Sequence, residues 1–160
     1  MTQPVALACP RIATRKDGLE LSRVIAGMWR LGEWEMSVQQ RIAFIEDCIA
    51  LGVTSFDHAD IYGNYGVEGL FGEALRARPS LRDRIEIVSK CGIKLVSPSR
   101  PHHTIQHYDT SLAHILASCE NSLRELGTDH LDLLLIHRPD PLMDFDEVAE
   151  AFTRLQTAGK

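Results

Sequence analysis

Leu51-Gly-Val-Thr-Ser-Phe-Asp57 runs directly into His58-Ala-Asp-Ile-Tyr-Gly63, and the reading of this stretch decides the architecture. Gly52 stops a helix whose inward stripe is Val38, Ile42, Ile45 and Ile49. Ser37, with Gln40 three residues on, forms a capping box at the start of that helix. Val53 to Phe56 then enters a short buried strand that ends in a carboxylate. The same rhythm returns at Leu126-Gly-Thr-Asp-His-Leu-Asp132, where a helix-stop glycine and a polar link again lead into an apolar strand. Such repetition marks consecutive βα units and a parallel sheet.

Working outward, four units fit between about residues 24 and 160. Val24 to Met28 reads as the first buried strand and Ile85 to Val88 as the third. Leu131 to Ile136 is the fourth, nearly all apolar, as expected of a strand covered on both faces. The intervening helices carry Leu70, Phe71, Ala74 and Leu75, then Leu112, Ile115, Leu116, Cys119 and Leu123 up to Gly127. Asp144 with Glu147 caps a last helix through Val148, Phe152 and Leu155, ending near Gly159. A β-hairpin over about residues 12–22, turning at Lys16-Asp-Gly18, precedes the repeat. A complete (β/α)8 barrel needs eight units and typically ~250 residues. Residues 1–160 are therefore expected to form a single, incomplete α/β barrel domain of four units.

A parallel barrel gathers the C-terminal ends of its strands into one site, so residues distant in sequence meet there. Four residues stand at or just past such ends: Asp57, Tyr62, Lys90 in Val88-Ser-Lys-Cys91, and His137 in Leu135-Ile-His-Arg-Pro139. A tyrosine hydroxyl, with a reference pKa of ~10, is a poor proton donor near neutrality, and a neighbouring ammonium favours its ionised form. A carboxylate can hold the lysine, and a histidine can hydrogen-bond a carbonyl oxygen. Lysine is almost never fully buried unless paired, and Asp57 is its obvious partner. Together the four suit carbonyl reduction, with Tyr62 supplying the proton.

Three ordered motifs carry a family resemblance: Phe-Asp-x-Ala-x-x-Tyr-Gly followed by Glu68, then Ser-Lys, then Asp-Leu-x-Leu-Ile-His-x-Pro. From about Leu21 to Lys160 the chain resembles the first half of an aldo-keto reductase, most closely the bacterial branch of predicted oxidoreductases. The resemblance implies a TIM barrel of that type, NADPH as cofactor and a small-molecule carbonyl substrate. It implies catalytic roles for Asp57, Tyr62, Lys90 and His137. It sets Gly27, Met28 and Trp29 beside the nicotinamide, with Trp29 walling the substrate pocket; Trp34 is a second candidate for that wall, or loop packing. His58 stands where threonine is common in the family, and is expected to alter the polarity beside Asp57. The family's clasps for the cofactor's pyrophosphate and adenosine lie mostly on strands five to eight. An inert or self-associating half barrel, pairing through open strand edges, is thus the competing expectation.

Composition narrows the remaining classes. The chain has 160 residues, 44% apolar and 24% charged, with a net charge of −5 and no basic run, which argues against nucleic acid. Cys9, Cys48, Cys91 and Cys119 form no CxxC pair, which favours reduced thiols and a cytoplasmic setting. Cys91, next to Lys90, is a candidate for a lowered thiol pKa. The opening Met1 to Cys9 looks superficially like a lipoprotein leader but lacks a basic n-region, and no stretch reaches transmembrane length. His102, His103 and His107 read as a solvated loop and not as metal ligands, and Asp140 to Asp146 as helix capping and not calcium binding.

Overall fold

The computed structural model describes residues 8–160; the first seven residues of the leader-like stretch Met1 to Cys9 lie outside them. A hairpin of β1 (Arg11–Ala13) and β2 (Glu20–Ser22) comes first. The sheet that follows consists of β3 (Ala26–Gly27), β4 (Ser55–Asp57), β5 (Glu86–Cys91) and β8 (Leu133–Ile136), all parallel and in that spatial order. Its outer cover is α1 (Val38–Ala50), α3 (Val67–Ala77), α4 (Leu112–Leu126) and α5 (Phe145–Thr157). This is four turns of the βα rhythm.

Strand alternation sets the two faces. Phe56 and Ile87 point outward into the helical layer and are wholly buried there, with Phe56 5.3 Å from the Phe71 ring of α3. Ser55, Asp57 and Lys90 take the other face, as a period of two demands. The helix starts follow their sequences. Ser37 and Gln40 make both bonds of the capping box on α1, and Ser111 accepts from His114 N at the head of α4. Gly127 ends α4 at φ 69°, a left-handed conformation open to glycine without strain. Gly72 lets α3 press on α4: a Cβ there would stand 2.0 Å from the Glu125 carbonyl oxygen.

The hairpin closes the N-terminal end of the sheet. Arg11 donates to Thr54 Oγ1 at 2.7 Å and to Glu86 Oε1 at 2.8 Å. Burial alone would raise the Glu86 carboxyl. Hydrogen bonds from Arg11, Ser55 and Thr54 outweigh burial and hold it below its ordinary value.

Several expectations change. The first strand shrinks to two residues, with Val24 60% and Ile25 41% exposed, because β3 is an edge paired on one side only. The fourth strand is not covered on both faces. Leu134 and Ile136 pack on the helical core, but Leu135 faces the barrel interior and is 38% exposed, since the described residues supply four strands around it. Glu147 does not complete a capping box. Asp144 alone caps α5, and Glu147 accepts from Leu112 N, tying α5 to the start of α4. His107, read with His102 and His103 as part of a solvated loop, instead lies in a small antiparallel pair, β6 (Ile93–Lys94) with β7 (His107–Tyr108), which Lys94 pins to Asp109.

Candidate active site

β4 delivers Asp57 and β5 delivers Lys90 to the C-terminal end of the sheet. Lys90 lies inside its strand and not past its end. Tyr62 opens the one-turn segment α2 (Tyr62–Tyr65), where Gly63, Asn64 and Tyr65 all have positive φ, at 56°, 54° and 69°. Three successive left-handed residues, two of them not glycine, store backbone strain next to the site. Tyr65 is held by its hydroxyl, which accepts from Leu95 N at 2.8 Å.

The Lys90 ammonium is the hub. It lies 2.7 Å from Asp57 Oδ1, donates to the His58 carbonyl oxygen at 2.7 Å and to the Tyr62 hydroxyl at 3.1 Å. The Tyr62 hydroxyl also lies 3.5 Å from Asp57 Oδ2. His137 follows β8, its backbone N–H bonded to the Cys91 carbonyl at 2.8 Å, and its ring stands edge-on to Tyr62 with centroids 5.8 Å apart. Burial first, then the positive charges of Lys90 and Arg138, lower the His137 pKa and favour a neutral imidazole near neutral pH. All four residues singled out in the sequence therefore meet.

Over them opens a cleft of about 480 Å³, whose lining combines apolar Trp29, Ile61, Ile93 and Leu95 with Gln106, Tyr108 and Arg138. Trp29, 67% exposed, leans over Tyr62 at 6.5 Å between ring centroids. The β6–β7 residues and Arg138 were not foreseen as lining. The alternation Ile93-Lys-Leu95 was the available signal, and Pro98 and Pro101 obscured the return strand.

Other placements differ from expectation. Trp34 does not line the cleft; it packs edge-on against Phe44 of α1, 5.5 Å away, which is its loop-packing alternative. Met28 is 1% exposed and its side chain belongs to the core, so only its backbone faces the strand ends. Gly27 is open, with nothing within 4 Å of where a Cβ would stand. Cys91 faces the helices and is fully buried, which raises its thiol pKa far above normal, opposite to the expected shift. Among the described residues no cluster could hold a metal; His103 and His107 bond backbone carbonyls instead.

His58 is not beside Asp57. Alternation turns it outward, wholly buried against Phe71 at 4.5 Å between ring centroids, with both ring nitrogens unpartnered. Burial, then the Lys90 charge, lowers its pKa to about 3. Two buried carboxyls nearby shift the other way, again mainly by burial: Asp60, bonded to Ser118, rises to about 6, and Glu68, bonded to Ser89, to about 7. Unfolded, the imidazole takes its proton near 6.5, so between pH 6.5 and 3 the unfolded chain binds more protons and His58 lowers stability as pH falls. Asp60 and Glu68 contribute the reverse: the folded chain binds their protons first, and that stabilisation is lost as pH rises through 6 to 7. Replacing His58 by Thr removes only the first slope. From pH 6 to 5 the variant should gain on the parent by about 1.2 kcal/mol, read from urea unfolding at each pH. Parallel curves would show that His58 does not resist protonation in the folded state.

A parallel βα sheet whose strand ends gather an ion-paired lysine, a tyrosine and a histidine under a cleft is part of a barrel-type fold with its site at the C-terminal strand ends. The family model described as the aldo/keto reductase family matches residues 23–160, and the chain belongs to that family. It is 58% identical over 150 residues to the uncharacterized oxidoreductase YcsN of Bacillus subtilis, covering 94% of this chain and 50% of that protein. It is 52% identical over 147 residues to a 6-dehydroglucose reductase of Agrobacterium fabrum, with 90% and 49% covered. A solved aldo-keto reductase from Bacillus halodurans, in its holo form, superposes with a TM-score of 0.75 at 28% identity, over 93% of this chain and 47% of that one. The chain spans about half the length of the curated relatives it matches.

Proposed function

We propose that this chain carries the catalytic half of an NADPH-dependent carbonyl reductase that reduces a small aldehyde or ketone, with Tyr62 as proton donor. The single observation that supports it best is the Lys90 hub, an ammonium held between Asp57, the His58 carbonyl and the Tyr62 hydroxyl. Tyr62 gives its proton to the substrate oxygen, and the adjacent ammonium stabilises the phenolate left behind. Asp57 keeps Lys90 in place, and neutral His137 hydrogen-bonds the carbonyl oxygen and orients it. When bound, NADPH supplies the hydride. The open space at Gly27 and the exposed face of Trp29 fit the nicotinamide end of that cofactor. The four reduced cysteines suit a cytoplasmic protein, and no helix among the described residues is long and apolar enough to cross a membrane. Oxidation of NADPH by 4-nitrobenzaldehyde, followed at 340 nm with the protein in its full-length form, tests the reading; absence of turnover with any aldehyde or ketone would overturn it.

A second reading is supported by the open edges. Residues 1–160, as one domain, leave β3 and β8 unpaired on their outer sides among the described residues, with Val24, Ile25 and Leu135 exposed. Unpaired apolar edges invite association. Expressed alone, these 160 residues should sediment as an oligomer or aggregate and leave NADPH fluorescence unchanged. A monomer that binds NADPH tightly would mean that this half holds cofactor determinants beyond those named.

A further inference from the structure

The cleft over Tyr62 is lined by no carboxylate, although the chain carries a net charge of −5. Its one cationic lining residue is Arg138, directly after His137. Arg138 is exposed and, among the described residues, makes no ion pair or side-chain hydrogen bond. Four carboxylates close in sequence or on the neighbouring surface are engaged elsewhere. Asp140 accepts from Leu142 N and Thr110 Oγ1, Asp144 caps α5, Glu147 binds Leu112 N, and Asp109 holds Lys94 and Ser111. Lys90, the other cation near the cleft, is already held by Asp57. The guanidinium is therefore the uncommitted charge at the mouth of the site. Its planar fork of donors matches a carboxylate or a phosphate in a way that a neutral substituent cannot reproduce.

Resting on the carbonyl-reductase reading above, we propose that Arg138 is a specificity residue that binds an anionic group of the substrate, a carboxylate or phosphate carried on the same molecule as the reacting carbonyl. The apolar lining residues Trp29, Ile61, Ile93 and Leu95 take the span between the two groups.

Three aldehydes of similar shape test this on the full-length protein: 4-carboxybenzaldehyde, 4-formylphenyl phosphate and the neutral 4-formylbenzamide. One charge-assisted hydrogen-bonded pair should favour at least one anionic aldehyde over the amide roughly tenfold or more in kcat/KM, mainly through KM. Arg138→Gln should collapse that ratio towards one, and Arg138→Lys should retain part of it. Whichever anion keeps the preference identifies the source. A ratio near one in the parent overturns the inference, as does a fall in Arg138→Gln that is equal for all three aldehydes or appears only in the affinity for NADPH. If no aldehyde is reduced, the functional reading fails separately. Calorimetric titration of 4-carboxybenzaldehyde onto parent and Arg138→Gln protein then still decides the role of Arg138: weaker binding in the variant supports it, and equal binding overturns it.

Discussion

Tyr62→Phe is expected to lower carbonyl reduction by ~10²–10⁴-fold, the usual contribution of general acid catalysis, while NADPH affinity stays near that of the parent. The substitution removes one oxygen and leaves the ring. The ring's edge contact with His137 and its tilt beneath Trp29 are made by carbon atoms, so the walls of the cleft should keep their shape. What is lost is the hydroxyl that receives the Lys90 hydrogen bond at 3.1 Å. Lys90 retains the Asp57 carboxylate and the His58 carbonyl, so no uncompensated buried charge is created and folding should be little affected. Steady-state kinetics with 4-nitrobenzaldehyde and fluorescence titration of NADPH separate the two effects. Turnover at the parental rate in Tyr62→Phe would remove Tyr62 from the role of proton donor.

The fold was legible because each βα unit announces itself locally. Ser37 and Gln40 mark a helix start, Gly52 and Gly127 mark helix ends, and short apolar runs lie between them. The meeting of Asp57, Tyr62, Lys90 and His137 followed from one topological rule about strand ends. What stayed hidden depends on side-chain direction over short segments. His58 and Cys91 are one residue from Asp57 and Lys90, and alternation sends them into the helical layer, which takes the His58 ring away from Asp57 and reverses the shift expected for Cys91. Trp34 could not be assigned from sequence because the geometry of residues 31–34 carries no periodic signal; packing on Phe44 decides it. The β6–β7 pair is two residues long on each side, below the length at which alternation is readable. Arg138 had no signal of its own, since an exposed arginine after a strand is ordinary until its neighbours' carboxylates are seen to be occupied.

Lys90→Met should be more damaging than Asp57→Asn, and the hub geometry gives the reason. The ammonium touches the Tyr62 hydroxyl directly, whereas Asp57 acts on the phenol mainly by holding that ammonium. In Lys90→Met the phenolate formed after proton transfer has no cation beside it, and the Asp57 carboxylate faces it from the 3.5 Å position. Loss of one preorganised donor at the place where charge develops typically costs ~10²–10³-fold in kcat, and the unbalanced carboxylate adds to it. In Asp57→Asn the ammonium keeps the His58 carbonyl at 2.7 Å and the hydroxyl at 3.1 Å, and the amide oxygen can still accept from it. That variant loses one charge-assisted bond of a pair in which Asp57 retains 30% side-chain exposure, so solvent screening limits the deficit to roughly tenfold. The pH dependence of kcat/KM provides a readout that a merely structural role would not move. That profile should change more in Lys90→Met than in Asp57→Asn. The opposite order would mean that the carboxylate, and not the ammonium, controls the phenol, and the roles given to the two residues would have to be exchanged.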